Sequence, residues 1–175
     1  MAQHKVSVVL VTGGSSGIGS SIVKLLSQAG MHVWAGSRRG TLEDPALKNA
    51  TPIVMDVNDE DSVKAAVDKV LAHEGHIDAV VCNAGNGIAG AIEQTTVEEG
   101  KYQFETCFWG AHRTIRAVLG PMRKQGYGRI ITISSVAAVV PIPFQAFYSA
   151  VKSSVLIYTK ALSLELKPYG IQCCS

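Results

Sequence analysis

The chain has 175 residues, 47% of them hydrophobic and 17% charged, with a formal net charge of +2. That length suits one domain, and so apolar a composition with so little net charge excludes intrinsic disorder as the main state. Its Lys and Arg are scattered, with no basic run longer than a pair such as Arg38-Arg39, so neither a nucleic-acid nor a membrane-surface footprint is present.

Residues 1–5 precede an apolar run, 6–11, that is too short for the core of a secretory signal, and no 18-residue apolar window offers a membrane span. The run VSVVLV is apolar without alternation, which predicts a strand buried on both faces. A glycine-rich turn follows, then a predicted helix over 18–29 with Ile22, Val23, Leu25 and Leu26 at helical spacing and Gly30 just past its end. Residues 32–36 and 52–55 read as the second and third strands. Residues 59–74 read as a helix with Val63, Ala66, Val67, Val70 and Leu71 on one face and Asp59 or Asp61 as its cap. Residues 79–82 form the fourth predicted strand, 97–123 one long helix, 129–134 the fifth strand, 147–166 another helix and 171–174 a sixth strand. This alternation predicts an α/β fold, a doubly wound parallel sheet of Rossmann type, in a single domain over 1–175. Cys82, Cys107, Cys173 and Cys174 lack metal-ligand spacing, so no metal site is read and a reducing, cytoplasmic setting is expected.

The turn Thr12-Gly13-Gly14-Ser15-Ser16-Gly17-Ile18-Gly19 lies between a buried strand and an amphipathic helix. Gly13, Gly17 and Gly19 permit a tight turn and close backbone approach, and the free N–H groups of the helix start favour an anion. With Ser15, Ser16 and Ile18 between them, they predict a dinucleotide pyrophosphate site; a plain tight turn is the alternative. The second strand ends Ser37-Arg38-Arg39, with no carboxylate to accept bonds from a ribose 2′-hydroxyl. NADP(H) is therefore favoured over NAD(H), with the arginines meeting a 2′-phosphate.

Tyr148 and Lys152 share one face of the last predicted helix, and an ammonium beside a phenol favours its ionised form. Ser135, at the carboxyl end of the fifth strand, lies on the edge where open α/β sheets bind ligands. Its hydroxyl suits a substrate carbonyl while Tyr148 moves the proton.

These motifs, in order and at spacing, make the sequence resemble the classical short-chain dehydrogenase/reductase family over residues 5–172. The matching segments are TGGSSGIG at 12–19, Asp56-Val57, Asn83-Ala84-Gly85, GRIITISS at 128–135 and YSAVK at 148–152. The resemblance implies that Asp56, with Val57, binds at the adenine ring and that Asn83-Ala84-Gly85 shapes the cofactor floor. It implies Ser135 as the substrate-orienting group, Tyr148 as general acid/base and Lys152 as the group that also holds the nicotinamide ribose. The implied reaction is hydride transfer between NADP(H) and a carbonyl or secondary alcohol. Pairing of the 97–123 and 147–166 helices across a two-fold axis would give a homodimer or homotetramer.

Two departures stand out. Many classical family members carry an asparagine in the long helix where this sequence has Cys107, its register set by Gly110. A thiol cannot reproduce an amide's donors and acceptor, so a slower or rerouted proton relay is expected. Members also continue beyond the sixth strand with a Pro-Gly turn, a substrate lid and a seventh strand, whereas this sequence ends at Ser175; lid and last strand are expected to be missing. Val139, Val140, Pro141, Ile142, Pro143 and Phe144 suggest a lipophilic small-molecule ligand, or ordinary loop packing. The competing reading is a dinucleotide-binding protein without turnover, a cofactor sensor or subunit partner. A methyltransferase leaves Tyr148 and Lys152 without a role.

Overall fold

The computed structural model describes residues 6–175. Six strands, β1 (Val8–Thr12), β2 (His32–Ser37), β3 (Ala50–Val54), β4 (Ala79–Cys82), β5 (Gly128–Thr132) and β6 (Ile171–Cys174), form one sheet in the order β3-β2-β1-β4-β5-β6. Every pairing is parallel. The helices between them are α1 (Gly17–Gln28), α2 (Glu60–Glu74), α3 (Val97–Phe104), α4 (Gly110–Gln125) and α5 (Ala146–Leu166). The strand order reverses between β1 and β4, and there the carboxyl ends open a crevice.

Strand period explains the apolar run of β1. Val8 and Leu10 enter one core layer with Val80, Ile115, Val118 and Ile130, while Val9 and Val11 enter the other with Val23, Val33 and Val81. Pro52 is tolerated in β3 because that strand is an edge, paired only with β2. Asp59 is the cap of α2: its Oδ1 accepts from the backbone N–H of Asp61 at 2.9 Å and of Ser62 at 3.1 Å. Gly30 closes α1, where Gly30 N–H donates to Ser27 O and Met31 N–H to Leu26 O.

The single helix expected over 97–123 is not one helix. A π-helical turn, Glu105–Trp109, separates α3 from α4, and the Gly110 N–H reaches back to the Glu105 carbonyl. The bulge resets the helical phase and points Cys107 inward, where it is buried. β5 also ends at Thr132 rather than at 134, which frees Ile133, Ser134 and Ser135 for the crevice edge and the short 3₁₀ turn Val136–Ala138.

At the amino end of the sheet, Asp78 is 1% exposed and closes the structure. Its Oδ2 accepts from Ser7 N–H at 2.6 Å, Ser7 Oγ at 2.8 Å and Val8 N–H at 2.9 Å, and its Oδ1 from the Tyr127 hydroxyl at 2.8 Å. Burial opposes the charge of the Asp78 carboxyl, but these donors outweigh it and hold the group well below the usual carboxylate range. Burial first, and then the bond to Asp78, pushes the Tyr127 phenol up to about 12. No helix among the described residues is long and apolar enough to cross a membrane.

Candidate active site

The crevice is organised by a clamp between β1 and β4. Thr12 Oγ1 accepts from the backbone N–H of Asn83 and of Ala84, each at 3.0 Å. In return the Asn83 amide nitrogen donates to Thr12 O at 3.0 Å and Gly13 O at 3.3 Å. The glycine turn is thereby pinned against the end of β4. Gly13 has φ +67°, and a Cβ there would sit 2.9 Å from Ala84 Cα; a Cβ on Gly19 would collide with the Gly13 carbonyl. Ser16 precedes α1 without a side-chain cap, and no acidic residue lies in the first turn, so the helix start keeps its N–H groups for an anion.

Gly13, Ser15, Ser16, Ile18 and Gly19 line one wall of a cleft of about 950 Å³. Ser37, Arg38 and Arg39, Asp56 and Val57, and Asn83, Ala84 and Gly85 line the same cleft, as do Tyr148 and Lys152. Gly17, which opens α1, does not. Ser37 is buried and its Oγ accepts from the Gly40 N–H at 3.1 Å. Arg38 and Arg39 are exposed; the Arg39 guanidinium reaches Ser15 Oγ at 3.4 Å, and among the described residues neither arginine pairs with a carboxylate. Asp56 Oδ1 accepts from the Asn58 N–H at 3.0 Å, shaping the loop after β3.

Lys152 is only 7% exposed. Its ammonium donates to the Ile133 carbonyl at 2.7 Å and lies 5.7 Å from the centre of the Tyr148 ring, so helix α5 places both groups together as their spacing predicts. Ser134 Oγ ties the carboxyl end of β5 to the Lys152 carbonyl at 3.1 Å. Ser135 stands differently. It does not line the cleft; it caps the 3₁₀ turn, its Oγ accepting from the Ala137 N–H at 3.2 Å. A hydroxyl that accepts this bond retains its own O–H to donate.

Cys107 Sγ lies 3.5 Å from both the carbonyl and the side-chain Oδ1 of Asn86. Gln103 holds the same Asn86 carbonyl at 3.0 Å, and Asn58 Nδ2 reaches Thr106 Oγ1 at 3.1 Å, so the π turn is fastened to two cleft loops. Thr12, Asn86, Thr106, Ile133 and Ser134 thus act in the site without having been singled out from sequence. Thr12, Ile133 and Ser134 lie inside the segments 12–19 and 128–135 and were findable; Asn86 and Thr106 carry no local signal. Phe144, on the loop before α5, is the one non-glycine residue with positive φ (62°) among those described, and its carbonyl accepts from the Gly90 N–H at 2.8 Å.

Comparison with known proteins agrees with this architecture. A family model described as short chain dehydrogenase matches residues 7–175. A 3-ketodihydrosphingosine reductase from Bacteroides thetaiotaomicron is 41% identical over 167 residues, covering 95% of this chain and 61% of its own length. Of solved structures, a 3-ketoacyl-(acyl-carrier-protein) reductase from Brucella melitensis complexed with NADH superposes with a TM-score of 0.91 at 29% identity, over 95% of this chain and 73% of that one. ElxO with NADP bound gives 0.89 at 26% identity, over 97% and 71%. The chain spans about three fifths of the length of the curated relative described here.

Proposed function

The chain belongs to the short chain dehydrogenase family, and from that premise we propose that it is an oxidoreductase using NADP(H) in preference to NAD(H) to interconvert a carbonyl and a secondary alcohol. One observation carries this reading: the glycine turn and the Tyr148–Lys152 pair line the same cleft. The fit of a dinucleotide rests on the uncapped start of α1, on the tight turn that Gly13 and Gly19 permit, and on the two cleft arginines, which have no carboxylate partner among the described residues. When bound, the cofactor would supply or accept the hydride. Gly13, Ser15, Ser16, Gly17, Ile18 and Gly19 would hold its pyrophosphate, Arg38 and Arg39 the 2′-phosphate beside Ser37, and Asp56 and Val57 its adenine. Asn83, Ala84 and Gly85 would form the floor.

The chain's own chemistry is proton transfer. The Tyr148 hydroxyl gives a proton to the substrate oxygen in reduction and takes it back in oxidation. Lys152, fixed by the Ile133 carbonyl, keeps further N–H donors for the ribose and the phenol. Ser135 orients the substrate oxygen with its O–H. A lipophilic substrate is supported by the exposure of Val136, Val139, Val140 and Phe144 after Ser135, and by the name of the Bacteroides relative. Exposed Trp109, Ile157 and Leu164 around α4 and α5 support a homodimer or homotetramer, and the free cysteines among the described residues support a reducing cytoplasm.

A binding-only protein is favoured by two other observations, the position of Ser135 outside the cleft lining and the thiol of Cys107 beside Asn86. Turnover decides between them. NADPH-dependent reduction of a ketone panel from short to long acyl chains is expected, fastest on the apolar members. Stoichiometric NADPH binding with no reduction of any ketone would select the binding-only reading.

A further inference from the structure

A second cluster of chemically capable side chains sits where β2 begins and α2 ends, away from the carboxyl-end cleft. His32 is the first residue of β2, and His73 and Glu74 are the last two of α2. One carboxylate oxygen, Glu74 Oε1, lies 2.6 Å from His32 Nδ1, 3.0 Å from His73 Nδ1 and 3.0 Å from the Trp34 indole nitrogen. Three nitrogens thus crowd one oxygen: the indole N–H donates to it, and the two imidazole Nδ1 atoms stand beside it with a proton or a lone pair according to tautomer. Glu74 is also a carboxylate in the last turn of a helix, where the backbone dipole disfavours negative charge and favours a cation.

The surroundings are those of a built site. Trp34, His32 and His73 stand around the carboxylate with ring centres 5.4–5.9 Å apart. The far nitrogen of His32, Nε2, is held by Thr51 Oγ1 at 2.9 Å, which fixes the ring with Nδ1 facing Glu74. Such an outer contact orients imidazole ligands and sets their tautomer. His76 is engaged elsewhere, with Ser7 Oγ, Asp78 and the Glu74 carbonyl.

We propose that His32 Nδ1, His73 Nδ1 and a Glu74 carboxylate oxygen bind a Zn²⁺ ion, with water completing the tetrahedron. The donor atoms already lie within 4.8 Å of one another. Zinc bonds of about 2.0–2.2 Å to N and O place neighbouring ligand atoms roughly 3.3 Å apart, so each imidazole nitrogen draws back from Glu74 by less than an ångström while the two nitrogens, within 4.8 Å of one another, settle at a similar separation. On binding, the neutral His32 ring carries its proton on Nε2, where the Thr51 hydroxyl accepts it, and Nδ1 offers its lone pair to the metal. The ion ties the first residue of β2 to the last residue of α2. It is a structural clamp and takes no part in the cleft.

The test is calorimetric titration of the full chain with zinc chloride at neutral pH, in a Cys173→Ser, Cys174→Ser background that removes the terminal thiols as competing ligands. One saturable site and a zinc-dependent rise in the thermal midpoint are expected. His73→Ala, at a largely exposed position that folding tolerates, should lower zinc affinity by at least about tenfold and abolish the rise. His32→Ala should do the same. No saturable site, or a site of unchanged affinity in both histidine variants, overturns the proposal.

Discussion

Asp78 and Asn83 flank β4, and the two ends of that strand are built on opposite plans. At the amino end, Asp78 takes four donated hydrogen bonds from Ser7, Val8 and Tyr127 while almost wholly buried. Its valence is spent inside the protein, and the gain is stability. At the carboxyl end, Asn83 and Thr12 spend their bonds on backbone, pinning the glycine turn, and the groups they position remain open to a ligand. The α1 start is uncapped, Ser135 keeps a donor, and Arg38 and Arg39 have no carboxylate partner among the described residues. Buried polar atoms without a hydrogen-bond partner among the described residues fall on this side too: Asn58 Oδ1 on a cleft residue, Ser149 Oγ next to Tyr148, and Gln103 Oε1 on the side chain that holds Asn86. One end is saturated and holds the fold; the other is pinned but unsaturated and opens on the cleft.

The contrast can be broken from either end. The largest effect is expected for Tyr148→Phe, which removes the proton donor without touching the clamp. Turnover should fall about 10²–10⁴-fold, while NADPH affinity by fluorescence titration and the urea midpoint stay near those of the parent. Asp78→Ala should do the reverse. It strands the backbone donors of Ser7 and Val8 in a buried place, so urea unfolding should show a loss of about 3 kcal/mol, with NADPH affinity retained under folding conditions.

The same asymmetry should appear in pH. The Asp78 carboxyl is held far below its unfolded value of about 3.9. Its stabilisation is therefore complete above that value and is lost as pH falls through the folded pKa. Between those limits one extra proton is bound on unfolding, a slope of up to ~1.4 kcal/mol per pH unit, and Asp78→Asn should flatten this acid limb in urea titrations run at successive pH values. The smallest effect is expected at the exposed rim of the cleft: Arg38→Ala should cut the preference for NADPH over NADH by roughly tenfold, read as the ratio of dissociation constants. Equal affinities for the two cofactors in the parent would remove the basis for an NADP(H) assignment.

What the sequence determined by itself is what short-range rules govern. The strand period of β1, the aspartate capping of α2 (narrowed to Asp59 or Asp61), the glycine spacing that lets the turn close, and the four-residue interval that sets Tyr148 and Lys152 on one face of α5 all depend on neighbours within a turn or two of chain. Parallel topology followed from the alternation of those elements. Only the tertiary structure decided which polar groups are spent and which are left over. The π turn that aims Cys107 at Asn86, the closure of Asp78 by Ser7 and Tyr127, and the meeting of His32 and Trp34 with Glu74 carry no local pattern. Most join residues distant in sequence, and a carboxylate or thiol has the same propensity whether or not a partner arrives. Its chemistry is set by burial and by the donors that packing brings to it, and those are properties of the folded chain.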